Sequence, residues 1–218
     1  MLNPRLQQVG QFVRKGSRLA DIGTDHALLP VALVQNGTCV SAIASDIRQG
    51  PVAAATRTVT EANLADAIDI RLGDGLSTMT ADEVDDIVIA GMGGETIAAI
   101  LEAAPWTKNE HYRFILQPMT RAEKLRRYLW ENGYDIEREV SVCDGHRCYT
   151  VLQVAFIGSR KAVEEALCMV GKLDPVTDAA YLKTVKNRLI KQQRGDASAL
   201  RLLERVQAYE NGLWKPWE

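Results

Sequence analysis

Residues 18–46 read RLADIGTDHALLPVALVQNGTCVSAIASD, and this stretch decides the fold. Arg18–Gly23 is a short apolar run closed by a glycine turn, and Cys39–Asp46 is a second run closed by an acid. Between them, His26–Gln35 has the length and residue types of a helix. Outward from this unit the alternation repeats. Gly50–Asn63 opens with Pro51, a favourable first helical residue, and continues through alanines. Ile68–Leu72 is a third short strand and runs into Gly73-Asp74-Gly75. Asp86–Ala90 is a buried strand ending in Gly91-Met92-Gly93-Gly94, with a helix over Glu95–Ala103. Arg113–Gln117 is a fifth strand, followed by a basic helix, Arg121–Asn132. The order predicts an α/β fold, a Rossmann-like, doubly wound parallel sheet with helices on both faces.

The ending departs from that pattern. Tyr134–Cys143 and Cys148–Ile157 read as two strands around Asp144-Gly145, an antiparallel C-terminal hairpin at the sheet edge. Beyond Gly158 the strands stop. Leu182, Val185 and Leu189 recur at helical spacing, as do Leu200, Leu203 and Val206, with Gly195-Asp196 between the runs. The expectation is two domains: the sheet domain over 1–157, and an α-helical, coiled-coil-like hairpin over 158–218.

With 218 residues, 46% of them hydrophobic, the chain can bury a sizeable core. Lys+Arg is 26 against 28 for Asp+Glu, which excludes a bulk polycation. Residues 158–218 nevertheless carry 11 basic and 8 acidic side chains, against 15 and 20 in residues 1–157, so a polyanion would be met by local clusters. Four scattered cysteines with no signal peptide ahead of them favour reduced thiols and a cytoplasmic protein. The longest charge-free stretch, Ala27–Ser45, is interrupted by Pro30, Asn36 and Gly37 and is no membrane span.

In an open parallel sheet, ligands sit beyond the carboxyl ends of the strands, and four such ends are chemically loaded. The first is Asp21-Ile22-Gly23-Thr24-Asp25-His26. It lacks the G-x-G-x-x-G that carries a pyrophosphate, and its two carboxylates suit a cationic ligand with an amino group and a sulfonium. That points to S-adenosyl-L-methionine rather than a nicotinamide dinucleotide. Asp46 is placed to accept both ribose hydroxyls. Asp74, between Gly73 and Gly75, is placed to accept from an adenine amino group. Gly91-Met92-Gly93-Gly94 exposes backbone polar groups on the side where a methyl acceptor would enter. Each acid alone could be a helix cap; their occurrence at successive strand ends favours one ligand site.

These residues resemble the bacterial tRNA (adenine-22-N1)-methyltransferases, a branch of the class I S-adenosylmethionine-dependent enzymes. The matching words are ADIGTDHALLP (20–30), ASDIRQGP (44–51), RLGDGL (71–76), DIVIAGMGGETI (86–97), ILQPM (115–119) and LRRYLWENGYDI (125–136). The resemblance covers about residues 3–157 in order and spacing. Met119 stands where the family has Asn after Gln-Pro.

The resemblance implies methyl transfer from S-adenosylmethionine to N1 of adenine 22 in the D-arm of tRNA. It places the cofactor on Asp21, Gly23, Asp25, His26, Asp46, Ile47, Gly73, Asp74, Gly75, Ala90 and Gly91. The reaction would run among Asp21, Gly91, Met92, Gly93, Gly94, Gln117 and Pro118. Adenine N1 carries an in-plane lone pair, so alignment rather than strong base catalysis carries the step. N1 lies on the Watson–Crick edge, so the base must be turned out into the pocket. Cations expected to meet RNA are Arg5, Arg14, Lys15, Arg121 and Arg126, with Lys183, Lys186, Arg188, Lys191 and Arg194 on the tail. The alternative for the tail is a solvated helix face. The alternatives for function are methyl transfer to another RNA or a small molecule, and a non-catalytic module that binds S-adenosylmethionine or RNA. Cys143, His146 and Cys148 lack a fourth ligand, so no metal is expected. The expected partner is tRNA, with no membrane, and the protein is expected to act as a monomer or weak dimer.

Overall fold

The computed structural model describes residues 2–193 and 196–217. A first helix, α1 (Pro4–Gly10), precedes β1 (Ser17–Ile22), α2 (Leu28–Gln35), β2 (Cys39–Asp46), α3 (Gln49–Glu61) and β3 (Ile68–Leu72). Then come β4 (Asp86–Gly93), α4 (Gly94–Glu102), β5 (Arg113–Thr120) and α5 (Ala122–Glu131). The hairpin is β6 (Tyr134–Asp144) and β7 (Arg147–Phe156), and the tail is α6 (Glu165–Val170), α7 (Ala179–Gln192) and α8 (Ala197–Glu210).

The strands form one sheet in the order β3-β2-β1-β4-β5-β7-β6. β1 to β5 are mutually parallel, and β7 runs antiparallel to both β5 and β6. Strand order reverses between β1 and β4, which is where a ligand crevice opens in such sheets. Side-chain alternation explains why both faces are covered. Ile87, Ile89, Phe114 and Leu116 point into one core with Ile97, Leu101, Leu125 and Leu129 of α4 and α5. Val88 and Ile115 point into the other, with Val9, Leu29, Leu33, Ala55 and Val59 of α1 to α3. A third cluster packs Leu182, Val185 and Leu189 of α7 against Ala199, Leu203 and Val206 of α8. Cys168 of α6 joins the first core, so the tail is seated on the sheet layer.

Several expectations change. The helix expected from His26 starts at Leu28, because Ala27 is left-handed (φ 52°) and its N–H is held by Thr24 Oγ1 at 3.1 Å. Two helices were not legible, α1 and α6. The first has an ordinary signal, with Asn3 Oδ1 accepting from Leu6 N at 2.9 Å and Pro4 in the first turn. The reduced-thiol expectation fails for one pair: Cys143 and Cys148 are disulfide-bonded. They stand directly opposite each other in the β6–β7 register, with Cα atoms 4.0 Å apart. Cys39 and Cys168 are buried free thiols, and burial pushes both up to about 11. Among the described residues no helix is long and apolar enough to cross a membrane.

Candidate active site

The carboxyl end of β1 turns sharply because Gly23 N and Thr24 N both donate to Ser45 O, at 2.8 and 2.9 Å. Gly23 has φ +76°, a backbone conformation that favours glycine, and the methyl end of Met92 lies where a β-carbon would point. Against this turn lies a cleft of about 550 Å³ lined by Asn3, Arg5, Leu6, Asp21, Gly23, Thr24, Asp25, His26, Arg48, Ala90 and Gly91 among others. That volume lies within the range of about 300–1,000 Å³ usual for small-ligand sites.

Asp21 is buried at the floor of the cleft, and burial pushes its carboxyl up to about 6, with the Thr24 hydroxyl pulling the other way. A buried carboxylate raised in this way is a receptor for positive charge. Asp25 and His26 are exposed on the rim, His26 Nε2 lying 3.6 Å from Asp25 Oδ2. On the next strand Asp46 is buried, and its Oδ1 accepts from Arg48 N at 2.8 Å and Arg48 Nε at 3.3 Å. No donor to its Oδ2 is found among the described residues. Ile47 is exposed beside it. Gly73 N donates to Asp46 O at 3.0 Å, which sets Gly73, Asp74 and Gly75 one strand further along the row. Gly75 has φ +53° and Asp74 is exposed.

The opposite wall is made by the ends of β4 and β5. Gln117 is fully buried, and its Oε1 accepts from Gly91 N at 3.0 Å and from Arg5 Nη1 at 2.6 Å. Its Nε2 donates to Pro118 O at 2.9 Å and lies 3.8 Å from Met119 Sδ. Gly91 has φ +82°. Gly94 opens α4 where a β-carbon would overlap the Arg121 carbonyl, which lets α4 pack tightly on the start of α5. A hollow of about 130 Å³ beyond this wall is lined by Pro118, Met119, Thr120, Arg121, Tyr149 and Arg188, among others.

The structure brings Asp21, Gly23, Asp25, His26, Ala90 and Gly91 to one cleft. Met92 lies against Gly23 and the buried Gln117 holds Gly91 N from behind, Pro118 lines the smaller hollow, and Asp46, Ile47, Gly73, Asp74 and Gly75 follow at the ends of β2 and β3. The cations separate. Arg121 caps α5 on the site's side and is well exposed. Lys183 and Lys191 are exposed two turns apart on α7. Lys186 is paired with Glu210 at 2.6 Å and Arg188 with Glu123 at 3.2 Å. Arg14 is paired with Asp86 at 2.6 Å, where β4 begins, and Lys15 is exposed nearby, at the opposite end of the strands from the cleft. Arg194 lies outside the described residues.

Arg126 is a correction. It is 1% exposed, with Nη2 2.7 Å from Glu139 Oε1 and Nη1 donating to the carbonyls of Cys168 and Met169. It meets protein on every side and no RNA. Sequence reasoning also missed the cleft lining by Asn3, Leu6 and Arg48, and the pairing of Arg5 with Gln117. The Asn3-Pro4 cap signal was the available clue to the first two. Among the described residues no group of three His, Cys, Asp or Glu side chains is arranged to hold a metal ion.

A profile of the methyltransferase-domain family matches residues 2–152. The tRNA (adenine(22)-N(1))-methyltransferase of Bacillus subtilis is 40% identical over 168 residues, covering 77% of this chain and 70% of that protein. The crystal structure of the B. subtilis m1A22 tRNA methyltransferase TrmK superposes with TM-score 0.81 at 32% identity, covering 98% of this chain and 97% of that one. Streptococcus pneumoniae Sp1610 in complex with S-adenosyl-L-methionine superposes with TM-score 0.85 at 31% identity, covering 98% and 100%. With a methyltransferase-domain profile over residues 2–152 and a 40%-identical relative covering 77% of it, the chain belongs to the methyltransferase-domain family, in the branch of the tRNA (adenine(22)-N(1))-methyltransferases.

Proposed function

We propose that the protein transfers a methyl group from S-adenosyl-L-methionine to N1 of adenine 22 in tRNA. The observation that carries this reading is the buried Asp21 facing a glycine-rimmed cleft at the sheet's switch point, in a chain whose 40%-identical relative is named for that reaction. The residues present fit the cofactor. Its ammonium and sulfonium suit Asp21 and Asp25, its ribose hydroxyls the free Oδ2 of Asp46, and its adenine amino group Asp74. When bound, the cofactor supplies an electrophilic methyl group on a positively charged sulfur.

The chain's own residues then do four things. Asp21 holds negative charge beside the positive centre. Gly23 lets the backbone approach it closely. Met92, lying over Gly23, shields the cleft from water. Gly91, Gly93 and Gly94 leave room for a flat base, whose N1 needs alignment more than deprotonation. The base reaches this wall only when unpaired and turned outward. Arg121, Lys183 and Lys191 are the exposed cations that suit the tRNA backbone, and residues 158–218 act as its positioning unit. The protein works in the cytoplasm, where such a tRNA substrate is found.

The test is methyl incorporation from labelled S-adenosyl-L-methionine into unmodified bulk tRNA, followed by nucleoside analysis. The expected product is 1-methyladenosine, lost when the D-arm adenine is replaced by guanosine. Incorporation at another atom, or none despite tight cofactor binding, overturns the reading.

A further inference from the structure

Past the acceptor wall, two hollows share one border. The first, of about 130 Å³, is lined by Pro118, Thr120, Arg121, Glu123, Tyr149 and Arg188, among others, and none of its lining residues lines the cofactor cleft. The second, of about 380 Å³, runs between α5 and the tail. Arg121, Glu123 and Arg188 line both, so they stand where the hollows meet. Arg188 Nη1 and Nη2 both donate to Glu123 Oε2 at 3.2 Å, and Arg121 Nη1 lies 4.0 Å from Glu123 Oε1. Two guanidiniums thus share a single carboxylate. In the second hollow the charges balance, with Arg121, Lys124 and Arg188 against Glu123, Glu165 and Asp196. In the first, Glu123 is the one acid facing two arginines. The positive surplus is confined to the hollow beside the wall.

The chemistry of that hollow is specific. A guanidinium carries five N–H donors, and Arg121 spends none of them on a hydrogen bond among the described residues. The hydroxyls of Thr120 and Tyr149 are likewise without a partner among the described residues. Arg121 also stands where the backbone turns left-handed, at φ +57°, a conformation that suits glycine better than a long side chain. Its carbonyl packs against Gly94, but its guanidinium holds nothing in the fold beyond the 4.0 Å approach to Glu123. The hollow also begins at the wall itself. Thr120 pairs with Gly93 in the β4–β5 register, and its Oγ1 lies 3.5 Å from the place of a Gly93 β-carbon.

We propose that this hollow receives a backbone phosphodiester adjoining the flipped adenosine, held by Arg121 and Arg188 with the Thr120 and Tyr149 hydroxyls donating beside them. Arginine forks suit phosphate oxygens, and Arg188 can keep Glu123 on one edge while its other edge meets the phosphate. The proposal rests on the tRNA reading made above. It gives the sugar of a base lying on Gly91–Gly94 a span from wall to hollow. A contact of this kind fixes register and orientation without reading a base.

The test uses the full chain and full-length tRNA carrying one uncharged methylphosphonate at either linkage flanking adenosine 22. The nucleotide 5′ to that linkage is 2′-deoxy, and the control tRNA has the same deoxyribose with a normal phosphate. At one of the two linkages wild type should lose about 10- to 100-fold in kcat/KM, as expected for charge-assisted hydrogen bonds. Arg121→Gly, which suits the left-handed backbone, should lose about as much on the control tRNA and nothing further on that methylphosphonate. Arg121→Lys should recover part of the loss on the control alone. Tyr149→Phe should lose roughly two- to tenfold on the control and less on the neutral linkage. Calorimetric affinity for S-adenosylhomocysteine should be the same in every variant.

Losses from Arg121→Gly and from each methylphosphonate that simply multiply overturn the proposal, because they put Arg121 on another part of the tRNA. Wild type that accepts both neutral linkages at the control rate overturns it too. Weaker S-adenosylhomocysteine binding by Arg121→Gly overturns it by assigning Arg121 to the cofactor. Wild type that forms no 1-methyladenosine in unmodified tRNA overturns the tRNA reading and this proposal together.

Discussion

Arg126 Nη2 and Glu139 Oε1 lie 2.7 Å apart, and both side chains are sealed from solvent. The pair is the joint between sheet and tail. Glu139 of β6 also accepts from Thr150 Oγ1 at 2.5 Å and from Lys172 N at 2.9 Å, while Arg126 of α5 donates to the last carbonyls of α6. Removing one partner strands a buried charge. Arg126→Ala should therefore lower stability by about 3–5 kcal/mol, measured by urea unfolding, with the tail more exposed to proteolysis. A loss below about 1 kcal/mol would mean that water enters the joint.

Asp21 links affinity and stability to pH in opposite directions. Its folded-state carboxyl is raised to about 6 from an ordinary 3.8. A raised carboxyl favours the fold below its ordinary value, and this contribution is lost as pH rises through about 6. The ligand-free Asp21→Asn protein should therefore be more stable than wild type at pH 7.5, by about 3 kcal/mol for a shift of this size. The difference should vanish near pH 4. Wild-type affinity for S-adenosylhomocysteine should fall as pH drops below about 6, and the variant should show no such fall.

Asp46 is a cleaner cofactor probe, because its Oδ1 is already held by Arg48. Asp46→Ala should weaken cofactor binding by about 1–3 kcal/mol in calorimetric titration. An unchanged titration removes Asp46 from the site.

The two adjacent glycines at the start of α4 should behave differently. At Gly93 a β-carbon would meet Thr120 Oγ1 and Thr96 Oγ1 at ordinary distances, 3.5 and 3.6 Å, and its φ is −67°. Gly93→Val should fold and bind cofactor normally while losing methyl transfer. Gly94→Ala should cost stability, since the Arg121 carbonyl occupies the space. Equal melting temperatures for the two variants would contradict this contrast.

On the tail, Lys183 and Lys191 are exposed, whereas Lys186 and Arg188 are paired. Lys183→Glu with Lys191→Glu should weaken tRNA binding and reduce its salt slope by about two. Cofactor affinity should not change. A salt slope equal to wild type would leave α7 as a solvated face.

The sheet was legible because each parallel strand is a compact apolar run bounded by turn residues, and β3 (Ile68–Leu72) matches its expected limits. The strand-end acids were legible because parallel topology forces them into one row. What escaped was tertiary. Arg126 looks like one more cation on a basic helix until Glu139, 13 residues on, is folded against it. Cys143 and Cys148 become partners only through the hairpin register. Arg5 meets Gln117 across 112 residues, a distance no local pattern spans.

The sheet order also has a consequence for a chain emerging from the ribosome. β6 is made before β7, yet in the finished sheet it pairs with β7 alone and stands at the outer edge. Until β7 emerges, the open edge of β5 faces β6, which must not take that place. The short turn at Gly145 makes the β6–β7 pairing local in sequence, whereas β5 meets β7 only past the whole of α5 and β6. The Gln117 wall is laid down with β5, after the acids Asp21, Asp46 and Asp74, so the complete cleft exists to be stabilised by ligand only once β5 has paired with β4.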